Sequence, residues 1–106
     1  MLGHNFASML VVALSSAACH AQTALTLATQ RGCTACHALD AEVVGPSFKA
    51  IATRYASRPE AYAGVVRSVR LGSFKRWGDT PMPGDMAPEK DVRLIVRWIL
   101  DQAPAS

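Results

Sequence analysis

The spacing of apolar residues along the chain predicts helices, and no run of alternating apolar and polar residues indicates a strand. A first helix is expected from Ala24 to Arg31, with Gly32 as its stop. Pro46 and Ser47 open a second helix, whose apolar positions fall at helical spacing: Phe48, Ile51, Ala52 and Tyr55. The fold is therefore predicted to be all-α.

Two more helices are expected in the C-terminal half of the chain. The segment from Ser57 to Glu60 is typical of a helix start, with Ser57 as the N-cap and Pro59 in the first turn, and this third helix ends at Gly72. The last helix begins at Pro88 and has an apolar face made of Val92, Ile95, Val96 and Ile99. Residues 73–87 form a loop between them, and a loop of this length in a small domain usually has a function.

The first 21 residues are typical of an export signal, with an apolar run over residues 7–18 and small residues up to Ala21. The run is too short for a normal transmembrane helix. Cleavage after Ala21 leaves residues 22–106 as one domain, which we expect in the periplasm. The odd thiol, Cys19, is then discarded; the alternative is that Cys19 is lipidated and anchors the protein to a membrane.

The most specific motif is Cys33-Thr34-Ala35-Cys36-His37, the attachment signature of a c-type haem. Two thiols at this spacing form thioethers with the haem vinyl groups, and His37 reaches the iron. A thioredoxin-type redox pair would follow a strand, and none is predicted. A zinc site would need four ligands, and only Cys19, His4 and His20 remain as soft or imidazole donors. A structural disulfide is the simplest alternative.

Met82 is the candidate for the second iron ligand. It lies in the long loop between Pro81 and Pro83, which hold its backbone stiff and extended. A neutral sulfur opposite a histidine favours ferrous iron and raises the reduction potential. The alternative is that Met82 only packs in a turn; Met86, which lacks paired prolines, is a weaker candidate ligand.

In these motifs the chain resembles the small bacterial class I monohaem cytochromes c. The resemblance is carried in order by Gly32–Ala38, Val44–Lys49, Ala52–Ala56, Trp77-Gly78 and Trp98. It implies about four helices wrapped around one covalently attached haem with His/Met ligation. It also implies a carrier, not an enzyme, that passes electrons between respiratory complexes or dehydrogenases and a terminal reductase or oxidase.

The resemblance implies roles for several other residues. The carbonyl of Pro46 should accept a hydrogen bond from the ring of His37, and the indole of Trp77 should donate to a haem propionate. Leu27 and Trp98 should lie at the crossing of the first and last helices. The chain departs from the family pattern at three positions: Asp85, where Asn is common; Ser68, where a basic residue is common; and Ala28, where an aromatic residue is common.

The net charge is modest, with 11 Lys and Arg against 8 Asp and Glu. Four basic residues that cluster before Met82 would steer an acidic redox partner, unless they form only a solvated face: Arg67, Arg70, Lys75 and Arg76. No motif suggests nucleic-acid binding, and a monomer is expected. Two alternative functions stay open: a cytochrome subunit of a larger dehydrogenase, and a haem sensor or enzyme that binds a ligand at the iron.

Overall fold

Four α-helices and one 3₁₀ turn are present in a computed structural model, which describes Gly3 and residues 16–103. The prediction of an all-α fold is confirmed: in this part of the chain the only extended pairings are two isolated bridges. The helices are α1 (Ser16–Gln30), α2 (Phe48–Tyr55), α3 (Ala61–Leu71) and α4 (Glu89–Leu100), and the 3₁₀ turn is Cys33–Ala35.

Helix α1 begins eight residues before Ala24, the expected start, and continues through Ala21. No Gly or Pro between Ser16 and Gln30 interrupts it. Most of the predicted leader, including His4, lies outside the described residues, so its cleavage stays a prediction. Within residues 16–103, no helix combines the length and the apolar character needed to cross a membrane.

Helix α2 begins where the sequence predicts. The Ser47 backbone is extended, and its hydroxyl accepts a hydrogen bond from the backbone N–H of Ala50 at 3.0 Å. This side-chain cap satisfies one of the amides left free at a helix start. Phe48, Ile51 and Ala52 are buried, as their spacing predicts.

The start of α3 differs from the prediction. Ser57 has a φ of 64°, in the left-handed region, whereas an N-cap residue is extended, so Ser57 does not cap the helix. A turn follows, in which the carbonyls of Arg58 and Pro59 accept hydrogen bonds from Ala61 and Tyr62, and the helix begins only there. The end is as predicted, because Gly72 has a φ of 83° and stops the helix.

Helix α4 is the centre of the fold and contacts the other three helices. Its four apolar positions are buried and divide between two clusters. The valine cluster joins α4 to α3 and consists of Val65, Val66, Val69, Ala87, Val92 and Val96. The isoleucine cluster joins α4 to α1 and α2 and consists of Ala28, Phe48, Ile51, Ile95 and Ile99.

Alanine takes the place of a larger residue where α1 crosses α4. Ala24 and Ala28, four residues apart and therefore on one face of α1, are completely buried. Leu27 and Trp98 are partly buried and pack against the isoleucine cluster. The aromatic residue that Ala28 replaces is thus not needed to fill this crossing.

Candidate haem site

The attachment motif lies in a tight turn immediately after α1. Gly32 has a φ of 81°, which redirects the chain out of the helix, and Cys33–Ala35 then form the 3₁₀ turn. The carbonyl of Cys33 accepts hydrogen bonds from the amides of Cys36 and His37, at 3.1 and 2.9 Å. This attachment turn (residues 32–37) therefore holds the two sulfurs and the imidazole on one short, hydrogen-bonded segment.

The imidazole of His37 has a fixed position and a defined tautomer. Its Nδ1 lies 2.6 Å from the carbonyl oxygen of Pro46. A carbonyl can only accept, so Nδ1 carries the proton and Nε2 keeps its lone pair for a metal. The ring also stacks on Phe48, with 5.5 Å between the ring centroids, and Phe48 in turn contacts the edge of Trp98.

Gly45 is a functional position that the sequence argument did not single out. A Cβ at this residue would lie 2.6 Å from Cε1 of His37 and 3.1 Å from Nδ1. The amide of Gly45 also donates to the carbonyl of Cys36, at 2.8 Å, so its backbone is tied to the attachment turn. The only signal in the sequence is the glycine directly before Pro46, and the need for it appears only once the chain is folded.

Met82 is held by backbone pairing at the base of the loop. Ser73 and Met82 form an antiparallel bridge with two hydrogen bonds, of 3.0 and 2.9 Å. Gly72 and Gly84 make this approach possible, because a Cβ on either would lie 2.7 Å from a backbone oxygen of the facing segment. Met82 is partly buried against the valine cluster, whereas Met86 is 89% exposed.

One cleft brings together the four residues predicted to bind haem and iron. Cys33, Cys36, His37 and Met82 all line it, and its volume is about 1020 Å³ with the open mouth included. Its deeper wall is aliphatic and is built from Ile51, Val65, Val69, Ile95 and Ile99. An apolar cleft with two thiols, an imidazole lone pair and a thioether matches the chemistry of a covalently attached haem.

Pro46 and Trp77, the two residues assigned to the cofactor by resemblance, also line this cleft. Trp77 is partly exposed at 39%, and the guanidinium of Arg54 lies 4.1 Å from the centre of its ring. Arg54 also donates to the carbonyl of Arg76, at 2.8 Å. These contacts fix the indole at the cleft, and Arg54 is a second residue that sequence reasoning missed.

The four basic residues proposed to guide docking are not equivalent. Arg76 lines the cleft, but the lining does not include Arg67, Arg70 or Lys75. Arg70 forms an ion pair with Glu89, and Lys75 pairs with Asp79. Part of the predicted positive surface is therefore neutralised locally.

A further ion pair links α1 to the loop that carries Met82. The guanidinium of Arg31 contacts the carboxylate of Asp85 through both Nε and Nη2. The hydrogen bond from Arg31 holds the pKa of Asp85 below its usual range. Burial, reinforced by the negative charge of Asp85, raises the pKa of the Cys33 thiol.

The chain is similar in sequence to known cytochromes c. The sequence pattern of the cytochrome c family matches residues 21–103. Cytochrome c-552 of Nitrosomonas europaea is 36% identical over 100 residues, which cover 93% of this chain and 92% of that protein. Cytochrome c-551 of Allochromatium vinosum is 39% identical over 77 residues, or 72% of this chain and 82% of that protein.

The fold is similar to that of solved cytochromes. The crystal structure of wild-type cytochrome c552 from Nitrosomonas europaea superposes with a TM-score of 0.70 at 35% identity, covering 73% of this chain and 96% of that one. An all-α fold around a cleft with these residues is that of a class I monohaem electron carrier. The chain belongs to the cytochrome c family. It carries one covalently bound haem c and transfers electrons to and from redox partners.

Proposed function

We propose that the protein is a periplasmic electron carrier whose haem is held by Cys33 and Cys36 and ligated by His37 and Met82. The observation that carries this proposal is that one apolar cleft is lined by all four side chains, which come from two segments more than forty residues apart in sequence. Neither the thioredoxin nor the zinc interpretation gives Met82 a role.

The haem supplies a one-electron couple, and the residues of this chain set the conditions under which it works. The carbonyl of Pro46 and the ring of Phe48 orient His37, so that Nε2 is available to the iron. The bridge to Ser73 holds the backbone of Met82 through both its amide and its carbonyl. With both ligand segments fixed, little rearrangement accompanies a change of oxidation state, as electron transfer requires.

Trp77 and Arg76 line the cleft beside these ligands, and we assign them to the polar edge of the haem. With haem bound, the indole would donate to a propionate, and the cation of Arg76 would offset part of the propionate charge. Val44 also lines the cleft and is more than half exposed. A partner protein docks transiently on this partly apolar surface, and Arg70 and Lys75, which are already ion-paired, contribute little to its steering.

A catalytic or gas-sensing role would need an iron position that is open or easily vacated. Met82 is fixed by two backbone hydrogen bonds and packs against the valine cluster, so its thioether would stay at that position once haem is attached. The proposal therefore describes a carrier and not an enzyme. A permanent dehydrogenase subunit would use the same site, and co-purification of a second chain from the native source would identify it.

The decisive experiment is the absorption spectrum of the haem-loaded ferric protein and of two methionine variants. We expect the weak far-red band of sulfur-to-iron charge transfer in the parent, its loss in Met82→Ala, and its retention in Met86→Ala. Met86 is the matched control, because it is four residues away and exposed. A parent protein without this band would refute Met82 ligation and favour a ligand-binding function.

The mass of the purified protein tests whether the chain is exported and cleaved after Ala21. The mass of the protein purified from a periplasmic fraction should correspond to residues 22–106 plus one haem. A mass that includes Cys19 with attached acyl chains would support the membrane-anchored alternative. A mass that includes the first 21 residues unmodified would contradict both.

A further inference from the structure

The ion pair between Arg31 and Asp85 joins the two segments that carry the proposed iron ligands. Arg31 directly precedes the attachment turn, and Asp85 lies three residues after Met82. Arg31 donates hydrogen bonds from Nε to both carboxylate oxygens of Asp85, at 3.1 and 3.3 Å, and its Nη2 also contacts Oδ1. An arginine fork on a carboxylate fixes direction as well as distance.

No other polar contact within the described part of the chain links these segments. Among the hydrogen bonds and ion pairs of residues 16–103, only those of Arg31 with Asp85 connect residues 31–46 to residues 72–87. The loop is otherwise tied to α3, through the bond from the Asp85 amide to the carbonyl of Val69 at 2.8 Å, and to α2, through the bond from Arg54 to the carbonyl of Arg76 at 2.8 Å. The attachment turn, in contrast, follows α1.

The side chain of Asp85 also organises its own segment. Its Oδ1 accepts a hydrogen bond from the amide of Ala87, at 2.8 Å, and Ala87 is buried in the valine cluster. The Asp85 side chain is only 19% exposed, whereas the carboxylate side chains of the other ion pairs among the described residues are about half exposed or more. Solvent therefore screens the attraction between Arg31 and Asp85 less than it screens the other pairs. Asp85 thus contacts the residue that follows α1, the carbonyl of Val69 in α3, and the start of the segment that leads into α4.

We propose that Arg31 and Asp85 are positioning residues that hold the methionine loop (residues 73–87) against the attachment turn and so keep Met82 on the iron. This inference rests on the proposed ligation by Met82. The pair acts through the loop and does not touch the iron. Breaking it should let Met82 leave the iron more often, without removing the haem or either ligand.

Imidazole titration of the haem-loaded ferric protein measures this effect directly. Added imidazole competes with Met82 for the sixth position, so its apparent affinity rises with the fraction of molecules in which Met82 is off the iron. Arg31→Gln removes the cation, and Asp85→Asn removes the anion while keeping an oxygen for the amide of Ala87. We expect each variant to bind imidazole about fivefold more tightly than the parent.

The two variants also separate positioning from a simple charge effect. Loss of a positive charge and loss of a negative charge should shift the reduction potential in opposite directions. Release of the loop should instead shift the imidazole affinity of both variants in the same direction. The double variant should bind imidazole no more tightly than either single variant, because both remove the same interaction, and Arg31→Lys should lie between the parent and Arg31→Gln.

Arg58→Gln is the matched control, because it breaks an ion pair with Glu60 in the turn before α3 and leaves both ligand segments untouched. Its imidazole affinity should equal that of the parent. The proposal is overturned if the two variants lie within twofold of this control, if their affinities shift in opposite directions, or if only the unfolding midpoint changes. A parent without the sulfur-to-iron band would instead refute Met82 ligation itself, before any variant is compared.

Discussion

Three close contacts fix the orientation of the His37 imidazole. The imidazole is enclosed by the Pro46 carbonyl, the ring of Phe48 and the backbone of Gly45. Each of these contacts requires a particular neighbour: a carbonyl that only accepts, a flat ring, and a residue without a Cβ. The contact with the Pro46 carbonyl was expected from resemblance to the family. The contacts with Phe48 and Gly45 depend on how the start of α2 and the residues before it pack against the attachment turn.

The glycine requirement leads to a direct prediction. Gly45→Ala should push the imidazole away from Pro46 and destabilise the haem-loaded protein by about 1–3 kcal/mol, the usual cost of overpacking. The control is Gly64→Ala in α3, where an added Cβ meets nothing within 4 Å. It should stabilise the protein by about 0.5–1 kcal/mol. Denaturant unfolding measures both, and equal effects at the two glycines would contradict the packing argument.

The ion pair between Arg31 and Asp85 predicts a dependence of stability on pH. Because the folded-state pKa of Asp85 is lowered, its contribution to stability is complete above the unfolded value of about 3.9 and is lost as the pH falls through the folded value. Asp91 also acts on Arg31, more weakly than Asp85. The parent should therefore unfold at higher denaturant than Arg31→Gln at pH 7, and this difference should shrink below about pH 4. A difference that grows in acid would contradict the prediction.

At the scale of elements, the sequence predicts well where helical periodicity is strong and less well where the chain turns. The buried faces of α2 and α4 follow from spacing alone, and so do the stops at Gly32 and Gly72. The prediction that Ser57 caps α3 was wrong, because the sequence around Ser57 does not show that its backbone is left-handed. The bridge between Ser73 and Met82 joins residues nine apart through backbone atoms, which side-chain patterns do not specify.

The junction between α3 and the methionine loop provides a paired test. Gly72 and Gly78 both have positive φ, so alanine at either costs about 1–3 kcal/mol in backbone strain. Only at Gly72 would the new Cβ also overlap the facing backbone, 2.7 Å from the oxygen of Met82. Gly72→Ala should therefore destabilise the protein more than Gly78→Ala and should also weaken the sulfur-to-iron band. Equal loss of the band in both variants would show that strain alone accounts for the effect.

At the scale of the molecule, two clusters share one helix, so we expect the domain to unfold as a single cooperative unit. Val92 and Val96 face the valine cluster, while Ile95 and Ile99 face the isoleucine cluster. Each cluster is small, and neither cluster is complete without α4. The side that packs around Met82 and the side that packs around Phe48 and His37 should therefore lose structure together.

Truncations on the two sides of α4 test this cooperativity. Val96→Ala should cost about 2 kcal/mol and Ile95→Val about 0.5–1.5 kcal/mol, since both residues are almost fully buried. In native-state hydrogen exchange, each variant should lower protection in α2 and α3 by the same free energy, even though only one cluster is altered. Loss of protection in α3 alone after Val96→Ala would show that the clusters unfold independently.

The hydrogen-bonded bridge between Ser73 and Met82 makes the position of Met82 independent of the length of the loop between them. All eight residues between them are exposed, and the loop is closed at its base by backbone atoms. The entropy of closing such a loop grows slowly, by about 0.6 kcal/mol for each doubling of its length. An insertion at Gly78 or Asp79, which do not line the cleft, is thus inexpensive and leaves Met82 in place. The surface offered to a partner can therefore change in length at this point without a change at the iron ligands.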